Sequence, residues 1–140
     1  MFILAKQFSF SAAHRILDLP EGHASGRLHG HNWGVEVVFH FEDFDDREMA
    51  ANGLAPIGEF IKEKLDHRTM LRDDDPLVEA IHDSEGEGSG CLVLMEKNPS
   101  PECIATMIYW SMVPLGFDNV AAVRVSETPD AWVEARMELE

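Results

Sequence analysis

The chain has 140 residues with 11 basic and 26 acidic side chains, a net charge of −15 with histidines neutral. A field of that sign repels nucleic-acid phosphates and anionic membrane surfaces, which excludes general nucleic-acid or membrane binding as a function class. The 45% hydrophobic share excludes a disordered acidic chain, and the length predicts one domain over residues 1–140.

The elements follow in chain order. Residues 3–13 place Phe8 and Phe10 on one side of a period-2 pattern, which predicts a strand rather than a signal peptide. A turn-rich stretch follows, from Asp18-Leu19-Pro20 to Ser25-Gly26. Residues 28–41 predict a long second strand, antiparallel to the first, with Trp33, Val35, Val37 and Phe39 on one face. Gly30 and Gly34 within it suggest a bulge or the close approach of another group. Residues 42–47 read as an acidic turn. Ile57, Phe60, Ile61 and Leu65 give a short amphipathic helix over 57–65, with Pro56 suited to its first turn. One or two helical turns are expected over 77–82, a flexible SEGEGSG loop over 84–90, and a short apolar strand over 91–95. Ser100 or Asn98 can cap a helix over 101–112, whose buried stripe is read as Cys103, Ile104, Met107, Ile108 and Ser111. A hairpin from 120–126 to 132–137 turns at Thr128-Pro129-Asp130. The sum is an α+β domain, two helices on one face of an antiparallel sheet. No stretch approaches the ~20 apolar residues of a membrane span. Cys91 and Cys103 form no CxxC pair and read as reduced, core-type cysteines. A cytoplasmic location is expected.

His29-Gly30-His31 carries the chemistry. Residues two apart on an extended chain project to the same side, so both imidazoles can converge on one point. His14, at the end of the preceding strand, can face them across an antiparallel ladder. Three neutral imidazoles with an open fourth position make a catalytic zinc site, and nitrogen donors favour zinc over magnesium or calcium. An HxH pair is also a common surface feature. Asp66-His67 follows the short helix, and a carboxylate that fixes an imidazole tautomer suits proton transfer near neutral pH. Such pairs also end helices without any role. Glu127 closes an apolar strand, either as a solvated turn residue or as a carboxylate for the edge of an amidine-like heterocycle. His23 lies in the loop facing the histidines, as a substrate contact or as a solvated residue.

The segments Phe8-Ser9-Phe10-Ser11-Ala12-Ala13-His14-Arg15, Glu21-Gly22-His23 and Gly26-Arg27-Leu28-His29-Gly30-His31-Asn32 resemble the 6-pyruvoyl-tetrahydropterin synthase superfamily. So do Leu65-Asp66-His67-Arg68, Asn98-Pro99-Ser100-Pro101-Glu102 and Val125-Ser126-Glu127-Thr128-Pro129, in family order over nearly the whole chain. The bacterial 6-carboxy-tetrahydropterin synthase branch of the queuosine pathway is the most similar. The resemblance implies a tunnelling (T-) fold, a four-stranded antiparallel sheet with two helices on one face. It implies assembly into barrels, typically a homohexamer with active sites between subunits. It implies Zn2+ on His14, His29 and His31, and a pterin held by Glu127 with further substrate contacts from Arg27, His23 and Ser100. Proton transfer falls to Asp66 and His67, with Ser25 at the position of the family's catalytic residue. The implied reaction converts 7,8-dihydroneopterin triphosphate to 6-carboxy-tetrahydropterin, acetaldehyde and triphosphate. Arg15, Arg27, Arg68 and Lys97 are the basic residues available to the triphosphate.

The sequence departs from that pattern at Ser25, where the family carries a cysteine four residues before the first histidine of His29-Gly30-His31. A thiol with a reference pKa of about 8.5 can be poised as a thiolate, whereas an alcohol is a far weaker acid and needs strong activation. Two alternatives therefore stand beside the 6-carboxy reaction. One is 6-pyruvoyl-type or aldolase-like side-chain chemistry, disfavoured in the aldolase form because Glu21 is offset from the required position. The other is a non-catalytic zinc- and pterin-binding protein. The stretch before Glu59-Phe60 also lacks the Asp-Phe pair of many relatives, and residues 72–96 form a longer, acidic segment.

Overall fold

In the computed structural model of the protein, which describes residues 1–42 and 53–136, β1 (Phe2–His14) and β2 (His29–Phe41) form a long antiparallel pair. A three-residue 3-10 turn, Ala24–Gly26, lies in the connection between them. α1 (Ala55–Lys64) leads into β3 (Arg68–Arg72), and α2 (Leu77–Glu85) into β4 (Leu92–Met95). α3 (Pro101–Met112) precedes β5 (Val120–Ser126) and β6 (Val133–Arg136). The sheet has six strands in the order β4-β3-β1-β2-β5-β6. Its antiparallel portion is β1, β2, β5 and β6, but the expected sheet of four strands with two helices is in fact one of six strands, with three α-helices among the described residues. β3 and β4 extend it in parallel, so the sheet is mixed rather than purely antiparallel. The long segment 72–96 supplies β4, and with it one edge of the sheet.

Alternation along the strands builds the core. Phe10 and Ala12 of β1, Trp33, Val35 and Val37 of β2, and Val123 and Val125 of β5 share one face and are buried. Against them pack Ile57 and Ile61 of α1, with Leu65 just beyond it, at the four-residue spacing of one helix face. α3 contributes Ile104, Ala105, Ile108, Tyr109 and Met112. Its buried stripe is thus rotated from the expected one: Cys103, Met107 and Ser111 are only half-buried. Pro101 opens this helix, and the Ser100 hydroxyl accepts from Cys103 N at 3.3 Å as its cap. α2 buries no residue completely and starts the expected SEGEGSG loop within its last turn. Both cysteines are free and half-buried rather than core residues.

The opposite sheet face is polar. Gln7 donates to Glu36 at 3.1 Å, and Arg124 bridges Glu36 and Glu134 at 2.6 Å each. These residues are register partners on β1, β2, β5 and β6 and form one row across four strands. A cavity of about 550 Å³ opens beside the row, with Trp132 at its rim. The irregularity expected in β2 falls at Val38/Phe39. Gly34 marks a close approach, since a Cβ there would stand 2.5 Å from Ser126 Oγ. The acidic turn over 42–47 lies outside the described residues beyond Glu42, as does residue 137 of the expected last strand. No helix among the described residues is long and apolar enough to cross a membrane.

Candidate metal centre

The buried stripe of the β1–β2 pair changes character at one end. Phe10 faces Trp33 in register, then Ala12 faces His31, then His14 faces His29. Strand pairing therefore brings His14 beside the His29-Gly30-His31 pair, on the face that carries the core. One ligand atom from each ring lies within 4.8 Å of the others. His14 is 1% exposed, and the other two rings are half-buried.

Hydrogen bonds fix the protonation of two rings. His14 Nδ1 is 2.7 Å from the Pro99 carbonyl, and His29 Nδ1 is 2.6 Å from the Arg27 carbonyl. A carbonyl only accepts, so each Nδ1 carries the proton and each neutral ring presents its Nε2 lone pair. Those two Nε2 atoms stand 3.1 Å apart, so with both rings neutral they meet lone pair to lone pair. His31 Nε2 is buried and has no hydrogen-bond partner among the described residues. Burial, first among its causes, holds the His14 pKa below its ordinary 6.5, and His29 and His31 push it the same way. The Pro99 carbonyl and Glu127 oppose this without reversing it. Protonating His14 is thus a poor way to relieve the crowding of lone pairs. A cation between them satisfies all three nitrogens at once, and neutral imidazoles are the form a metal requires. The donor set, three imidazole nitrogens, fits zinc.

Glu127, at the end of β5, points the same way, with its Oε1 3.6 Å from His14 Nε2 and its side chain one-third exposed. Trp33 backs the cluster. Its ring centre is 4.8 Å from that of His14 and 5.2 Å from that of His31, and its Nε1–H donates to the Ala12 carbonyl at 3.1 Å.

Asp66 and His67 form the expected pair, His67 Nδ1 to Asp66 Oδ2 at 3.0 Å. Both are tied to β1 through Ser11. Its N–H donates to Asp66 Oδ1 at 2.9 Å, and its carbonyl accepts from His67 N at 2.7 Å. The Ser11 N–H, and then His67, hold the Asp66 carboxyl below its ordinary value. His67 adopts φ +61°, a left-handed conformation that turns the chain from α1 into β3 and leaves its ring 82% exposed. It shares a cavity of about 490 Å³ with His31. Among the described residues, no hydrogen bond or ion pair connects Asp66-His67 with Ser25 or with the three histidines.

Ser25 lies half-buried in the turn after His23, whose Nδ1 accepts from Ser25 N at 3.1 Å. The Ser25 carbonyl accepts from Ile16 N at 2.9 Å, which holds this turn beside the end of β1. Exposed His23 is thus the cap of that turn, and Ser100 is the cap of α3. Arg27 is exposed, while its carbonyl orients His29. Arg15 is not available to a triphosphate, because Nε donates to the buried Asp75 at 2.8 Å and a second guanidinium nitrogen contacts the other carboxylate oxygen. Sequence reasoning missed Asp75 and the orienting carbonyls of Pro99 and Arg27. Any residue type can supply a carbonyl, so the latter carry no compositional signal.

The family of 6-pyruvoyl tetrahydropterin synthase matches residues 3–138. A probable 6-carboxy-5,6,7,8-tetrahydropterin synthase from Halobacterium salinarum is 32% identical over 121 residues, covering 85% of this chain and 76% of that protein. An uncharacterized protein from Wolinella succinogenes shares the fold with a TM-score of 0.74 at 21% identity, over 98% of both chains. The 6-pyruvoyl tetrahydropterin synthase of Caenorhabditis elegans shares it with a TM-score of 0.63 at 19% identity, over 98% of this chain and 96% of that one. With the fold, the histidine cluster and Glu127 assembled on the strands as described, the chain belongs to the 6-pyruvoyl tetrahydropterin synthase family.

Proposed function

We propose that this protein is a zinc-dependent lyase of the 6-carboxy-tetrahydropterin synthase type. It converts 7,8-dihydroneopterin triphosphate to 6-carboxy-5,6,7,8-tetrahydropterin with release of acetaldehyde and triphosphate, as a step of 7-deazapurine (queuosine) synthesis in the cytoplasm. The observation that carries this reading is the set of three convergent imidazoles, two with Nε2 atoms 3.1 Å apart and the third with a buried Nε2 that has no hydrogen-bond partner among the described residues. His14, His29 and His31 hold the zinc, which supplies Lewis acidity to hydroxyl and carbonyl oxygens of the substrate side chain. Glu127, beside the cluster, accepts from the amidine-like N–H groups of the pterin and fixes the ring relative to the reacting carbons. Asp66 fixes the Nδ1–H tautomer of His67, which leaves Nε2 to take and return a proton. His23, Arg27 and Ser100 lie on the turns around the cluster and contact the substrate.

The exposure of His67 and its separation from Ser25 support an active site completed between copies of the chain. The sheet supports assembly of subunits into barrels, and so into a homohexamer. β6 is an edge strand, and on its side away from β2, β1 pairs with β3 only at Ala12–His14. Ile3 and Leu4 along that strand are 61% and 41% exposed.

A second reading, pterin binding without turnover, is favoured by Ser25 itself. Among the described residues, its hydroxyl makes no hydrogen bond to a base, so within one chain it lacks the activation an alcohol nucleophile or acid needs. One experiment separates the two. Zinc-loaded wild type and Ser25→Cys are incubated with 7,8-dihydroneopterin triphosphate, and products are identified by mass. The lyase reading expects 6-carboxy-tetrahydropterin and acetaldehyde from at least one form, faster from Ser25→Cys. Tight pterin binding with no product from either form establishes the second reading. A 6-pyruvoyl or 6-hydroxymethyl product overturns the first in favour of other side-chain chemistry.

A further inference from the structure

We infer that Asn98 is a positioning residue that locks the buried histidine of the metal centre, an inference that rests on the metal reading above. The Asn98 side chain grips the backbone of Leu17, 81 positions away in sequence. Its Oδ1 accepts from Leu17 N at 2.9 Å, and its Nδ2 donates to the Leu17 carbonyl at 3.0 Å. The amide thereby copies the donor–acceptor pair of a neighbouring strand. It has one workable orientation, because a flip sets donor against donor and acceptor against acceptor. Leu17 is three residues past His14, where β1 has ended and no ladder holds the chain.

The other side of Asn98 is equally fixed. Its carbonyl accepts from Ser100 N at 2.7 Å, closing a three-residue turn around Pro99. Ser100 then caps α3, whose first backbone bond runs from Ile104 N to the Ser100 carbonyl at 2.9 Å. Between these anchors lies the Pro99 carbonyl, on a buried residue, accepting from His14 Nδ1 at 2.7 Å. The clamp therefore joins the chain that carries His14 to the carbonyl that sets its tautomer and ring angle. Proline suits the middle of this turn: its φ is already fixed, and it has no N–H to leave unpaired there. Without the clamp, the single His14–Pro99 hydrogen bond is left to hold the end of β1 against the start of α3, at the point where His14 must aim Nε2 at the shared cation.

Partners that orient a metal-bound imidazole typically matter 10–100-fold in metal affinity. The test is zinc affinity by chelator competition, with the visible ligand-field bands of the Co2+-loaded protein as a geometric readout. Asn98→Ala is expected to weaken zinc by about 10–100-fold and to shift the Co2+ bands. Asn98→Asp keeps the acceptor for Leu17 N but loses the donor to the Leu17 carbonyl, and is expected to weaken zinc as well. It serves as the reading if the alanine variant fails to fold. Val37→Ala, a core truncation six residues along β2 from His31, controls for destabilisation and is expected to keep wild-type affinity and bands. Wild-type zinc affinity in the folded Asn98 variants overturns the inference alone. Equal weakening in Val37→Ala also overturns it, because the effect is then one of general stability. A wild-type protein that takes up no zinc sinks the metal reading itself, and this inference with it.

Discussion

The pair between Arg15 and Asp75 offers the sharpest stability test, because it sits one residue from a proposed metal ligand and its carboxylate has no exposure to water. Asp75 accepts from Arg15 Nε and from Leu77 N, both at 2.8 Å, and meets Arg15 through a second oxygen. Asp75→Asn keeps the shape, removes the charge and turns an NH2 toward a guanidinium donor. Removing one partner of a buried pair costs about 3–5 kcal/mol when the other charge is stranded. The Arg15 side chain is 23% exposed, so part of its charge regains water, and we expect a loss of about 2–3 kcal/mol. With an unfolding entropy on the order of 0.3 kcal/mol/K for a chain this long, Tm falls by about 7–10 °C at pH 7. Calorimetry on zinc-saturated protein at fixed chain concentration reads this directly. The acid limb fixes the sign. Arg15, and then the Leu77 N–H, hold the Asp75 carboxyl below its ordinary value, so on acidification the unfolded chain takes up this proton first. The contribution is present above the unfolded pKa of about 3.9 and is lost as pH falls through the lower folded value. The difference between wild type and variant must therefore shrink in strong acid. A Tm within about 2 °C of wild type at pH 7, or a difference that grows in acid, refutes the reasoning.

Further outcomes follow from the histidine cluster. In metal-free protein, the depressed His14 pKa contributes stability above 6.5 that is lost as pH falls toward the lower folded value. Thermal melts of chelated wild type should decline below pH 6.5, and His14→Gln should flatten that decline. Zinc should raise the wild-type Tm, and His29→Ala should remove the increase; an unchanged zinc-dependent shift would count against His29 as a ligand. Trp33→Phe loses the bond to the Ala12 carbonyl and part of a fully buried ring, for about 1–3 kcal/mol by denaturant titration. Co2+ loading should quench Trp33 emission, since the indole contacts two of the three imidazoles, and this variant should lose that quenching.

The parts of this molecule that obey a period were legible in its sequence. The two-residue spacing of His29 and His31 gives a shared direction on any strand, and a hairpin-like return brings His14 opposite them. β3 was not legible. Arg-Thr-Met-Leu-Arg is only five residues long and buries Met70 and Leu71 in succession between half-buried neighbours, so it shows no period-2 alternation. Without β3, neither the mixed sheet nor the place of β4 could be read. The α3 stripe was misread by one position. Cys103 and Met107 are apolar enough to fit a core face, and the real face is chosen by the small Ala105 against the sheet and by Tyr109. In the site, Ser25, Asp66 and His67 announce themselves by type, but no local pattern says that Asp66 and His67 pair with each other and make no bond to Ser25. Asp75 hid in a run of three aspartates, of which it alone is buried.

The row of Gln7, Glu36, Arg124 and Glu134 on the open sheet face has a bearing on how the histidines come to meet. Each member reaches its partner only when four strands align in one particular frame. Sliding β2 by a single residue past β1 would exchange Glu36 for a valine opposite Gln7, and would turn His29 and His31 away from His14 at the same stroke. Charges on the far side of the sheet thus act as an alignment key for the side that carries the histidines. Errors in strand matching are penalised well away from the place where they would part the three imidazoles.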